Sequence, residues 1–137
     1  MAIVQGQTNS FKQELYLAIH NLSTDTIKMA LYTGASSLNL GTTVYTTSNE
    51  VVASGYTAGG NTLTGVSVSL SGSTAYVNWA NTSWTGTITA RCALIYNASK
   101  GNKSVAVIDF GADKSSLITF LVTMPSNTAT TALIRST

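Results

Sequence analysis

The period of the apolar pattern changes once along this chain, and that change limits the possible folds more than any other feature. Phe11, Leu15, Ala18, Ile19 and Leu22 recur at helical spacing and make one apolar face. Ser10 stands where an N-cap is wanted, and Gln13 three residues later completes a capping-box pattern. The spacing predicts a helix over 10–21, with His20 near its C-terminal end and Asn21 as its stop. After Leu22 the period falls to two. Ile27, Met29 and Leu31 alternate with Lys28, Ala30 and Tyr32, as in a half-buried strand.

From Asn61 onward such strands recur between Gly, Asn and Ser turns. Val66, Val68 and Leu70 alternate with serines, and Ser71-Gly72-Ser73 reads as a hairpin turn. Ala75, Val77 and Trp79 follow. A long strand is predicted from about Thr85 to Tyr96, with Ile88, Ala90, Cys92, Leu94 and Tyr96 on one face. Residues 104–110 are apolar on both parities, residues 111–116 are expected to turn, and Ile118 to Met124 give another strand, ended by Pro125. A short strand closes the chain at Ala132–Ile134. Seven or eight strands and one short N-terminal helix argue for a single domain over 1–137. The expected architecture is mainly β, an antiparallel β-sandwich of jelly-roll or Greek-key type. Residues 1–9 are expected to form a flexible N-terminal arm. Residues 34–61, punctuated by glycines, are expected to form an ordered excursion or a contact loop.

Composition narrows the function. Charged residues make up 9% of the chain and the net charge is +2. Seven scattered basic residues do not make the dense patch that phosphate binding requires, so no nucleic-acid partner is expected. No stretch approaches the roughly 18 apolar residues of a membrane helix, and the N-terminus lacks the basic and apolar regions of a signal peptide. With one cysteine, no intrachain disulfide forms, and synthesis in a cytoplasm is expected. Ser and Thr exceed a quarter of the residues, giving a polar, nearly neutral surface that loses little on desolvation.

Chemistry-bearing constellations are absent from the sequence. Asp109-Phe110-Gly111 matches a kinase tripeptide, but no glycine-rich phosphate loop or His-Arg-Asp accompanies it. Asp109 and Asp113, beside Lys114, are too few for a good calcium site. One His and one Cys do not make a zinc site, and Cys92 falls in a core alternation where thiols are inert. The expectation is therefore no enzyme, no metal and no cofactor. Glu50 and Arg91 each stand alone in uncharged sequence, and an Arg91–Glu50 ion pair is expected to pin residues 34–61 to the sheet. Trp79 has core parity. Trp84, expected in a turn, is the aromatic expected at the surface, where it suits a protein interface or sugar stacking. Ile3, Val4, Tyr45, Tyr56 and Trp84 are the candidate interface residues.

Five stretches in order carry a resemblance. They are Ala30-Leu-Tyr-Thr33, Tyr45-Thr-Thr-Ser-Asn-Glu-Val51, Gly55-Tyr-Thr-Ala-Gly-Gly60, Thr89-Ala-Arg-Cys-Ala-Leu-Ile-Tyr-Asn97 and Val107-Ile-Asp-Phe-Gly111. Together they resemble small virion structural proteins of tailed bacteriophages, which include capsid decoration (cement) proteins and tail or neck components. The resemblance implies a non-enzymatic subunit made in the host bacterial cytoplasm and located in the virion. Its implied partners are the major capsid protein, other virion proteins and further copies of itself, in a homo-oligomer such as a trimer. The alternatives are a tail, neck or fibre-associated structural protein, and a carbohydrate-binding module on the virion surface.

Overall fold

The structure, a computed structural model, describes residues 3–137. It is mainly β, with antiparallel sheets and one short helix in a sandwich-like arrangement. In chain order the elements are β1 (Gly6–Gln7), α1 (Asn9–Tyr16), β2 (Ile27–Tyr32), β3 (Asn61–Thr62), β4 (Ser67–Ser71), β5 (Thr74–Asn78), β6 (Thr82–Thr85), β7 (Thr89–Asn97), β8 (Lys103–Ser115), β9 (Thr119–Val122) and β10 (Ile134–Ser136). They form a five-stranded sheet β1-β8-β7-β2-β3, a three-stranded sheet β10-β5-β4 and a two-stranded sheet β6-β9. The ten strands among the described residues exceed the seven or eight expected: β1 and β3 are two-residue pairings with no apolar pattern of their own, and β6 occupies 82–85, where a turn was expected.

The five-stranded sheet is buried on both faces. On one face Met29, Leu31, Ala93, Ile95 and Val105 pack with Phe11, with Trp79 just beyond β5, and with Trp84, Phe120 and Ile134 of the smaller sheets. On the other, Tyr32, Cys92, Leu94, Tyr96 and Val107 pack with Leu38, under the excursion that starts at Gly34. Burial on both sides explains why β7 reads as an almost continuous apolar run. The expected single face of Ile88, Ala90, Cys92, Leu94 and Tyr96 does not hold. The β7–β8 register breaks between Ala90 and Cys92, and this irregularity at Arg91 reverses the parity. Ile88 and Ala90 therefore join Ala93 and Ile95 in the larger cluster, and Cys92 lies on the opposite face.

The helix is shorter than 10–21. It starts after Thr8, not Ser10, and Thr8 makes no side-chain cap bond. Ala18 then takes a left-handed φ of +58, the Ile19 N–H donates to Glu14 O, and the Ala18 N–H donates to Leu15 O. These two bonds make a Schellman stop. Of the expected 1–9 arm, residues 1–2 lie outside the described residues, and residues 3–9 are not free. The Val4 N–H donates to Leu38 O, β1 pairs with β8, and Thr8 is fully buried against Ser104. The expected turn at 111–116 is instead an irregularity within β8, opposite Arg91, and the chain turns at 116–118.

Candidate interaction surfaces and the Glu50 hub

Residues 34–60 form a strap that runs over the second face of the main sheet at Leu38 and Tyr45 and then follows the β2 edge, where Val51 and Tyr56 join the first-face cluster. At the β8 side, Tyr45 N–H donates to Asn102 O, and Ser104 N–H donates to Thr43 O. At the β2 side, Val51 N–H donates to Leu31 O, and Thr33 N–H donates to Asn49 O. Tyr45 stacks on Tyr96 of β7 with ring centroids 4.7 Å apart. The strap then extends the edge of β2 beyond the short pairing with β3.

Glu50 sits at the centre of this strap and is 7% exposed. Tyr45 Oη donates to Glu50 Oε1 at 2.6 Å, and Tyr56 Oη donates to Oε2 at 2.6 Å. The Gly59 N–H also donates to Oε2, at 2.8 Å. Tyr56 Oη in turn accepts the Leu31 N–H at 2.9 Å, which ties the hub to β2. Tyr96 Oη donates to Gly59 O at 2.6 Å, and Tyr32 Oη donates to Thr46 O. Hydrogen bonds to a carboxylate are about twice as strong as neutral ones, so the hub fixes the strap at several points. Burial, reinforced by the Glu50 carboxylate, pushes the hydroxyls of Tyr32, Tyr45 and Tyr56 well above the usual phenol range. The same two causes push Tyr96 up to about 12.

The expected Arg91–Glu50 pair does not form. Arg91 Nε instead donates to Asp109 Oδ1 at 3.1 Å, across the irregularity in the β7–β8 ladder. The Gly111 N–H, together with Arg91, holds the Asp109 carboxyl below its usual value. Glu50 does secure the 34–61 segment, but through tyrosine hydroxyls and a backbone amide instead of a guanidinium. Sequence spacing carried no signal of this, because the donors are spread over Tyr45, Tyr56 and Gly59 and meet only in the fold.

The interface candidates separate. Val4 is exposed, while Ile3 and Tyr45 are half-buried against the strap cluster. Tyr56 and Trp84 are core residues, not surface ones. Trp84 is 4% exposed because β6 pairs with β9, which places the indole between Tyr56 and Phe120. Trp79 is buried, as its parity predicts. Cys92 is fully buried, and burial, with Asp109 nearby, pushes its thiol up to about 11.

A second buried polar cluster joins the segment after the helix to β7. His20 Nε2 lies 2.9 Å from Glu14 Oε1, and His20 Nδ1 lies 3.0 Å from Asn97 Nδ2. Asn97 and Lys100 both donate to Asp25, whose carboxyl is held low despite burial by these bonds and by the Asn21 N–H. These bonds tie the segment after the helix to the end of β7, and Ser23 and Ser99 extend them, at Asn21 and Asn97.

An open cleft of about 1050 Å³ lies between β1, β8 and β9. Phe110, Phe120, Met124 and Leu133 line it with Lys114 and Arg135. It carries no Asp, Glu, His or Cys among its described lining residues. Comparison with protein families, curated proteins and solved structures finds no match for this chain.

Proposed function

We propose that this chain is a non-enzymatic structural subunit of a tailed-phage virion, a capsid decoration protein that stabilises the head by bridging capsomers. The observation that carries the reading is the character of its open surface. Val52 is 98% exposed and Leu117 83%, and Ile118, Leu121, Val68 and Leu70 are exposed as well. These residues stand on β4, β9, the 116–118 turn and the strap of a protein with few charges. Exposed apolar residues on a neutral surface are suited to packed protein contact. The ordered set of resembling stretches points the same way. Binding across neighbouring capsomers adds buried interface only in the intact shell, and mass action then favours that shell.

The carbohydrate-binding alternative loses its main support, since both tryptophans are core residues. Electron microscopy of virions labelled with an antibody to this protein tests the reading. Label distributed over the head is the expected result. Label confined to the tail or neck would transfer the protein to the tail or neck class, and an unlabelled particle would refute a virion role.

A further inference from the structure

The three-stranded sheet ends in an edge that no strand of the described chain covers. β4 pairs with β5 on one side only. Ser71 and Thr74 close a two-residue turn in which Gly72 has φ +59. Such a hairpin closes on a hydrogen-bonded pair, and the ladder alternates from there. Ser67, Ser69 and Ser71 therefore direct their backbone N–H and C=O groups to β5. Val68 and Leu70 direct theirs outward, where no backbone group of the described residues meets them. Their side chains are open too, 56% exposed at Val68 and 73% at Leu70. Val77, across from Val68 on the same face, is already core.

Open edges are usually blunted by brevity, charge, proline or a bulge. The other outer strands of this protein fit that description. β1 and β3 are two residues long, β10 has three including Arg135, and β6 and β9 have four each. β4 has five residues, with no charge, no proline and a regular register. No charged residue or histidine occurs anywhere between Glu50 and Arg91.

We propose that β4 pairs antiparallel with β4 of a second copy about a two-fold axis at Ser69. The strand is complementary to itself in this register. The outward groups of Val68 meet those of the second copy's Leu70, and the reverse, giving about four backbone hydrogen bonds. Ser69 faces Ser69 in the intervening non-hydrogen-bonded position. The Val68 and Leu70 side chains become cross-strand apolar pairs on one face, and the uncharged strand brings no like-charge repulsion to the axis. The contact is two-fold, in contrast to a trimer, and it does not depend on the virion reading.

Oxidative cross-linking of the full chain tests it. Two residues facing each other at a non-hydrogen-bonded position have Cα atoms about 4.5 Å apart, within disulfide range. Ser67 and its own copy would be roughly 13 Å apart in the same register. Ser69→Cys should form a covalent dimer at least tenfold faster than Ser67→Cys under mild oxidation, with Cys92 buried in both. Adding Leu70→Lys to Ser69→Cys should abolish that advantage. The unmodified chain should show a concentration-dependent monomer–dimer equilibrium by sedimentation, and Leu70→Lys alone should stay monomeric. Equal cross-linking of Ser69→Cys and Ser67→Cys, or cross-linking untouched by Leu70→Lys, would overturn the proposal, as would a sedimentation profile that stays monomeric at all concentrations.

Discussion

Tyr56 donates its hydroxyl proton to Glu50 over 2.6 Å, and the same oxygen accepts the Leu31 N–H. One side chain thus links a buried carboxylate of the strap to the backbone of a central strand. Removing the Tyr56 hydroxyl strips Glu50 of one donor and leaves the Leu31 amide without its acceptor. A buried group left unpaired costs about 1–3 kcal/mol.

Urea denaturation of hub variants should therefore give a definite order. Tyr56→Phe is expected to lose about 2 kcal/mol. Tyr45→Phe, at a half-buried position that water can reach, should lose less than about 1 kcal/mol. Glu50→Gln keeps one acceptor for Tyr56 and Gly59 and should lose about 1–2 kcal/mol, whereas Glu50→Ala orphans several donors and should lose about 3 kcal/mol or more. Arg91→Ala should leave the hub unaffected, because Arg91 pairs with Asp109.

Stability should fall at alkaline pH. Tyr32, Tyr56 and Tyr96 have folded values raised above 10, first by burial and then by Glu50 or a bond to it. The unfolded chain then releases these protons first. Stability is fully present below about pH 10 and declines above it, by about 1.4 kcal/mol per pH unit for each tyrosine between its two values. Urea midpoints between pH 8 and 11.5, with phenolate absorbance followed in parallel, test this. At the acid end Asp25 and Asp109 have lowered folded values. Their contribution is present above about pH 3.8 and is lost as pH falls below it.

Ala18→Gly should stabilise the protein. Ala18 closes the helix at φ +58, a conformation that disfavours an L side chain. Relief of that strain, less the extra freedom of glycine in the unfolded chain, should give about 0.5–1 kcal/mol, read as a higher denaturant midpoint.

Gly60→Ala should have the opposite and much larger effect. An added Cβ there would lie 1.8 Å from Met29 O, a backbone atom of β2 that cannot swing aside. Loss of the folded state, or more than about 3 kcal/mol of destabilisation, is expected. Gly72→Ala at the hairpin tip meets nothing within 4 Å. It should cost only about 1 kcal/mol for its positive φ, and circular dichroism of the two variants separates these outcomes.

The period-two pattern made the β class legible, and the serine-flanked hairpin at 71–74 lies where its turn residues put it. What eluded sequence reasoning was decided by partners remote along the chain. Trp84 read as a turn residue because β9, which buries it, is more than thirty residues away in sequence. The parity of β7 read as uniform because the irregularity at Arg91 depends on the path of β8. Leu15, Ala18, Ile19 and Leu22 kept helical spacing although Ala18 turns left-handed, since apolar residues at the right interval look the same on either side of a helix stop. Glu50 stood out as an isolated charge, but hydroxyl donors leave no charge pattern to match it. The open edge of β4 was visible in sequence only as alternating valine, leucine and serine.

Purified protein added to expanded capsids that lack it offers the most direct test of the proposed role in the shell. Saturable, stoichiometric binding by sedimentation, with a higher temperature of shell rupture, is the predicted result. Capsids that neither retain the protein nor gain thermal resistance would contradict it.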